Sequence, residues 1–304
     1  MTNVNNRNKR VIKLLCRIIN ISTQSYYQAN KRFIKDEMSQ DLIIQEVLNL
    51  RQVHKRVGAR KMLTHIQDFG KKIGFQIGRD AFFSLLEEHN LLIRNRRKHS
   101  PITTLSKHRY KRYPNIIIDV IPTSSNQIWV SDITYVEIEK SDYAYLSLIT
   151  DMYSRKIVGF CLNKNLSAEG PLQSLKMAIN SSNKTDLHML IHHSDRGVQY
   201  CCNDYINLLK QNEMKISMTK NGDPLENAIA ERVNGIIKNE YELTIGYSYK
   251  ILANKITEAI FHYNNYRKHL SIEEMTPSEA HQKSGNLKRH WKTYFKASMT
   301  ANEA

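Results

Sequence analysis

The sequence predicts a chain in two parts, an all-α basic region followed by a mixed α/β domain built on a five-stranded sheet. Three observations carry that expectation. The first is charge: residues 1–113 hold 24 Lys/Arg against 8 Asp/Glu, a net of +16, whereas residues 114–304 hold 21 of each. The second is apolar spacing of helical period up to about residue 91. The third is the change, near Asn126, to β-branched and aromatic runs alternating with helical ones, the pattern of an α/β domain. With 304 residues and 41% hydrophobic residues, the chain has enough material for more than one buried core.

Several classes are excluded at once. No stretch approaches the roughly 18–20 apolar residues of a membrane span. Met1–Arg10 is polar and basic, with no apolar region after it long enough for a secretory signal. Cys16, Cys161, Cys201 and Cys202 form no C-x-x-C pair, which argues against a disulfide scaffold and a zinc ribbon. A basic domain of this strength is the footprint of a polyanion binder, since each neutralised phosphate releases condensed counterions.

In the first part, Val11, Leu14, Leu15, Ile18 and Ile19, then Ser22-Thr23-Gln24 ahead of Tyr26-Tyr27, predict one or two short basic helices within residues 1–35. Residues 40–53 carry a stronger one, with Leu42, Ile43, Val47 and Leu50 on one face. Gly58 begins another (Met62, Leu63, Ile66), punctuated by Gly70 and Gly74, and Gly78-Arg79-Asp80 opens a third (Phe82, Phe83, Leu85, Leu86, Leu91). Two helices around a glycine-containing turn in a basic setting fit a helix-turn-helix. A basic bundle that touches DNA only through phosphates has the same pattern. Residues 1–98 are therefore expected to be a DNA-binding region, with Arg94, Arg96, Arg97 and Lys98 as candidate contacts. Residues 99–120 read as a basic linker in which Lys107, Arg109, Lys111 and Arg112 interleave with Tyr110 and Tyr113, a composition that can track and stack on nucleic acid and that an ordinary solvated linker also has.

In the second part, Gln127–Ile138 is the first strand, Lys140-Ser141-Asp142 a turn, Ala144–Thr150 the second strand and Ile157–Leu162 the third, an antiparallel meander. Ser167 N-caps a helix to Asn180. His188–His192 is a fourth strand, Tyr205–Leu209 lies in a second helix, Ile216–Met218 is a fifth strand, and Asp223-Pro224 starts a long helix to about Leu243. The order β-β-β-α-β-α-β-α is the connectivity of a ribonuclease H-like fold. Residues 121–245 are assigned to that core and 246–304 to a helical extension and tail, where Lys288–Lys292 is a further basic cluster.

Three carboxylates stand out by position. Asp132 sits within the first strand beside Trp129, where an unpaired buried charge is costly. Asp195 directly follows the fourth strand, and ligand sites gather at the carboxyl ends of strands in open α/β sheets. Glu231 lies on the last helix, on a polar face with Asn227, Asn234 and Lys238 at i, i+4, i+7 and i+11. First and fourth strands are neighbours in this topology, so Asp132 and Asp195 are expected side by side. Two close carboxylates repel unless a cation lies between them. Oxygen ligands favour Mg²⁺ or Mn²⁺, and two such ions about 3.5–4 Å apart clamp the attacking and leaving oxygens of a phosphodiester displacement. His188, His192, His193, Cys201 and Cys202 crowd the same stretch, but adjacent cysteines fit zinc spacing poorly. Trp129 and Tyr135 read as packing residues, and Asp151 as a turn residue.

The segments Trp129-Val130-Ser131-Asp132-Ile133-Thr134-Tyr135, Ser154-Arg155-Lys156-Ile157-Val158-Gly159, His193-Ser194-Asp195-Arg196-Gly197-Val198-Gln199-Tyr200 and Asn227-Ala228-Ile229-Ala230-Glu231, with the trailing Tyr263-Asn264-Asn265-Tyr266-Arg267, resemble bacterial insertion-sequence transposases. The type is the second-frame product of the insertion-sequence-three elements, whose core is similar to retroviral integrases. The resemblance spans about residues 40–283. It implies a DDE triad of Asp132, Asp195 and Glu231, a DNA contact at Lys238 and two Mg²⁺ or Mn²⁺ ions. Asn227, on the same helix face, is a further candidate DNA contact. It further implies cleavage at element ends followed by 3′-hydroxyl strand transfer. The expected partners are double-stranded DNA at element ends and target, further copies of the chain, and an upstream-frame protein or fusion. The expected setting is the bacterial cytoplasm, at the nucleoid. The family usually has Asp-Asn ahead of the glutamate helix, where this chain has Glu226-Asn227. The alternatives are a nuclease of the same fold that cleaves without joining, and a DNA-binding regulator without activity.

Overall fold

The computed structural model describes residues 11–93, 109–118, 120–139, 142–183, 187–220, 227–243 and 246–287. Contacts divide the chain into two compact units, Met1–Arg94 and Asn95–Ala304.

The first unit is all helical: α1 (11–18), α2 (Thr23–Val53), α3 (Ala59–Ile73) and α4 (Arg79–Glu88). Of the short helices expected before residue 35, the first is α1, and the second joins the helix expected from residue 40 in one 31-residue α2. No Gly or Pro interrupts Thr23–Val53, and the Ser22 hydroxyl accepts the Ser25 N–H at 3.0 Å to start it. Ile43 and Val47 of α2 pack with Met62, Leu63 and Ile66 of α3 and with Phe82, Leu85 and Leu86 of α4. Each fully buried side chain of this kind contributes about 1.5–3 kcal/mol. Gly74 ends α3 in the left-handed region (φ 84°), its N–H returning to the Gly70 carbonyl.

The second unit carries one mixed sheet. β1 (Ile128–Glu137), β2 (Tyr143–Asp151) and β3 (Ile157–Asn163) form the antiparallel meander, and β4 (Ile191–Ser194) and β5 (Lys215–Met218) add in parallel on the other side of β1. The order across the sheet is β3-β2-β1-β4-β5. This is the five-stranded ribonuclease H-like arrangement.

Helices cover both faces. On one, α5 (Glu169–Asn180) and α7 (Asn203–Gln211), with a single turn α6 (Val198–Cys201) before it, enclose Trp129, Ile133, Ile149, Leu175, Tyr200 and Tyr205. On the other, α8 (Ala228–Glu240) and α9 (Tyr249–Asn265) enclose Val136, Leu146, Leu148, Val233, Ile237 and Ile260. Gly159 lets α5 lie directly on β3, because a Cβ there would stand 2.2 Å from the Ser174 carbonyl oxygen. A short α10 (Pro277–His281) follows, with a capping box between Thr276 and Glu279.

Several boundaries differ from expectation. α5 is capped at Ala168, because the Ser167 hydroxyl instead accepts from the Asn163 amide at 3.3 Å. The fourth strand is Ile191–Ser194, three residues later than expected, since Met189 turns the chain with φ 65°. α6 was not anticipated. The last core helix begins at Ala228, with Asn227 at a non-helical φ of −125°, and ends at Glu240, before Glu242 at φ 53°. Asp223-Pro224 and Lys140-Ser141 lie outside the described residues, as do Met1–Arg10 and Lys288–Lys292. Among the described residues no helix is long and apolar enough to cross a membrane.

Two polar ties hold the flanks of the sheet. Asn264 of α9 donates its amide to the Ile157 carbonyl and accepts the Ile157 N–H, both at 2.9 Å, along the outer side of β3. Beside β5, the Pro114 carbonyl accepts the Met218 N–H at 3.3 Å, and the Ser217 hydroxyl accepts the Ile116 N–H at 3.1 Å.

Candidate active site

Parallel pairing of β1 with β4 sets Val130 opposite His193. Two residues further along each chain come Asp132 and Asp195, at the end of the sheet where β4 stops and β1 runs on. Both are half-buried. Asp132 Oδ1 accepts the Ile133 N–H at 2.9 Å, and Oδ2 accepts the Asn234 side-chain amide at 2.8 Å. Asp195 Oδ1 accepts the Gly197 N–H at 2.9 Å. A Cβ on Gly197 would stand 3.0 Å from that same oxygen, so glycine lets the loop close on the carboxylate.

The electrostatics follow from this crowding. Loss of water around Asp132 and the neighbouring Asp195 carboxylate push the Asp132 carboxyl up to about 7, with a smaller push from Glu231, against the pull of the Ile133 and Asn234 hydrogen bonds. Glu231 stands exposed on the first turn of α8. Its charge reaches Asp132, so all three acids share one electrostatic neighbourhood.

Asn227 is 6% exposed and donates its amide to the Ser131 carbonyl at 3.0 Å. It ties the entry of α8 to β1 beside Asp132. The sequence reading has Asn227 as a candidate DNA contact, and its side chain lies buried with its amide on β1. Lys238 sits two helical turns past Glu231, its ammonium 3.6 Å from the centroid of the Tyr135 ring. Arg94, Arg96, Arg97 and Lys98 lie outside the described residues, as does Glu226.

His192 and His193 belong to the core, whereas His188 is exposed, 3.6 Å from Glu213. His192 is held at 2.9 Å from the Tyr205 hydroxyl, and burial lowers its pKa to about 3, so the ring is neutral. His193 Nδ1 lies 2.8 Å from the Ser217 hydroxyl, fully buried. Cys201 Sγ contacts Met218 Sδ, and Cys202 Sγ donates to the Gln199 carbonyl. Among the described residues no three His, Cys, Asp or Glu side chains are gathered closely enough to cage a single ion. The preformed part of the acidic site is the Asp132–Asp195 pair. Asp151 is buried and organises a turn: its Oδ1 accepts the Ser154 N–H and hydroxyl, and its Oδ2 the Asn126 N–H.

Two residues of the site carried little signal. Asn234 was visible only as one polar position on the Glu231 face, and Tyr135 looked like an ordinary strand aromatic. Contacts between β1 and α8, about a hundred residues apart in sequence, give each its place.

The profile of the integrase core domain matches residues 122–224, and a second integrase core domain profile matches residues 212–277. The chain is 29% identical over 274 residues to the "Insertion element IS600 uncharacterized 31 kDa protein" of Shigella sonnei, covering 88% of this chain and 98% of that protein. It is 24% identical over 285 residues to "Transposase InsF for insertion sequence IS3A" of Escherichia coli (strain K12), covering 90% of this chain and 94% of the relative. Among solved structures, the HTLV-2 integrase catalytic core domain in its trimeric form covers 53% of this chain and is itself 99% covered, at 19% identity and a TM-score of 0.41.

Proposed function

We propose that the chain is a bacterial insertion-sequence transposase of the insertion-sequence-three type, with an integrase-like catalytic core, and that it cuts and joins DNA with Asp132, Asp195 and Glu231 as its catalytic carboxylates. The observation that carries the assignment is the placement of Asp195, just past β4, beside Asp132 on the paired β1, where its charge raises the cost of ionising Asp132.

The residues fit divalent cations. The donors are all carboxylate oxygens, and a doubly charged ion would offset both the burial and the Asp195 charge that push the Asp132 carboxyl up to about 7. Asp132 and Asp195 supply the fixed ligands, and Glu231 closes the set from its exposed position on α8. Two Mg²⁺ or Mn²⁺ ions bound there would supply Lewis acidity to the phosphodiester and a deprotonated oxygen nucleophile at neutral pH.

The chain's own residues do the rest. Asn234 fixes the rotation of the Asp132 carboxylate. Asn227 keeps the start of α8 on β1, so that Glu231 stays near the pair. Lys238 meets a phosphate of the bound strand. In the first step water attacks phosphorus at the element end and the 3′-oxygen leaves. In the second, the freed 3′-hydroxyl attacks a target phosphodiester, forming one P–O bond as another breaks. Neither step needs a covalent bond to protein.

The basic first unit, with a helix-turn-helix formed by α3 and α4 within residues 1–98, holds double-stranded DNA. Residues 99–120 link it to the core at 121–245, and residues 246–304 are a C-terminal helical extension and tail. The protein acts as an oligomer on element ends and target, in the bacterial cytoplasm, with or without an upstream-frame partner.

The test is strand joining on a branched DNA that mimics the integration product, which asks little sequence recognition. Metal-dependent joining by the wild type, absent from Asp195→Asn, is the expected result. Cleavage without joining would mark a nuclease, and activity surviving Asp195→Asn would overturn the site.

A further inference from the structure

Helix α2 bears an apolar row that its own unit leaves uncovered. Its buried residues, Ile43 and Val47, enter the core with α3 and α4. Ile34, Met38 and Leu42 recur at i, i+4 and i+8 and are 49%, 63% and 41% exposed. Met38 precedes Val47 by nine residues, about two and a half turns, which sets the row on the side of the helix opposite the core. A contiguous exposed apolar row on a rigid helix marks an interaction surface.

The charges of α2 say what covers it. Residues 23–35 carry Lys31, Arg32 and Lys35 and no acid, whereas residues 36–46 carry Asp36, Glu37, Asp41 and Glu46 and no base. The boundary between the halves falls beside Met38.

We propose that α2 pairs with α2 of a second copy of this chain, antiparallel, with the two-fold axis passing near Met38. In that register Met38 meets the partner's Met38, Ile34 meets the partner's Leu42, and Lys35 lies level with the partner's Asp41. Each basic half then runs along an acidic half, whereas a parallel pair would set like charge against like. The interface is isologous, as a closed dimer requires. It leaves the α3–α4 side of each unit free, and it stands independently of the carboxylate assignment.

The test uses the full chain in sedimentation equilibrium without DNA. The expected result is a dimer in the micromolar range. Met38→Glu should weaken it at least about tenfold, with far-ultraviolet circular dichroism unchanged because Met38 is exposed. Orientation is read by mixing Ile34→Cys and Leu42→Cys copies with a short bismaleimide, against the wild type as background for the native cysteines. A mixed cross-link that dominates both self-cross-links supports the antiparallel pair. A monomeric wild type, a dimer indifferent to Met38→Glu, or a dominant Ile34→Cys self-cross-link would each overturn the proposal. The second outcome would point to another face or to a different partner for α2.

Discussion

Asn234 donates its side-chain amide to Asp132 Oδ2 at 2.8 Å, joining the glutamate helix to the central strand across 102 residues of sequence. The bond selects which Asp132 oxygen stays turned to the helix. Asn234→Ala should therefore weaken metal use with little loss of fold, by about 10–100-fold in the Mg²⁺ concentration for half-maximal joining, the usual effect of losing a partner that orients a ligand. A Mg²⁺ titration of joining beside a thermal melt measures both. An unchanged Mg²⁺ midpoint would count against this role.

The raised Asp132 carboxyl predicts a pH signature in the metal-free chain. Its folded pKa of about 7 lies above the ordinary 3.8, so between those values the folded state holds more protons than the unfolded one. Stability from this group is therefore present at low pH and lost as pH rises toward 7. Asp132→Asn cannot ionise, so its melting temperature, measured in chelator, should rise relative to wild type across that window. A difference that is flat with pH would contradict the assignment.

Lys238 rests on the face of Tyr135 at 3.6 Å, which restrains a side chain with much rotamer freedom. If Tyr135 positions Lys238 for a phosphate, Lys238→Ala should lower the slope of log K against log salt by about 1. Tyr135→Leu should approach the same slope, Tyr135→Phe should keep the wild-type one, and the double variant should match Lys238→Ala. Filter binding across a salt series decides it. Full additivity of the two losses would separate the residues.

Arg267, 3% exposed, forms a bidentate pair with Glu240 at the end of α8, with Nε–Oε2 at 2.7 Å and Nη2–Oε1 at 2.9 Å. Removing one member of a buried pair typically costs about 3–5 kcal/mol. Arg267→Ala should thus melt well below wild type, and Arg267→Lys should recover only part of the loss, because an ammonium cannot reproduce the two-point contact. Denaturant unfolding of the three proteins gives the comparison.

How much of this was legible in the sequence depends on the range of the interaction. Strand order and the placement of Asp132, Asp195 and Glu231 follow from local period and from turn residues, so they could be read. Boundaries set by single contacts could not. Ser167 looks like an N-cap until Asn163 takes its hydroxyl. His188–Leu190 looks like strand until Met189 turns with positive φ. Asn227 looked like a surface amide because nothing local reports that Ser131 lies across from it. The trailing Tyr263-Asn264-Asn265-Tyr266-Arg267 was legible only as a motif. In the structure Tyr263 bonds the Arg155 carbonyl, Asn264 the strand β3, and Arg267 the glutamate helix.

The Asn264 tie has a consequence for crowding. An open sheet offers two outer strands, and bare backbone on either can recruit a strand from a neighbouring molecule. Here the Ile157 N–H and carbonyl on β3 are both occupied by one asparagine, and the far flank along β5 is occupied by the segment around Pro114 and Ile116. A protein that gathers several copies on one DNA raises its own local concentration severalfold. With the groups at Ile157 and Met218 engaged, a strand from a second copy finds these stretches of edge already taken.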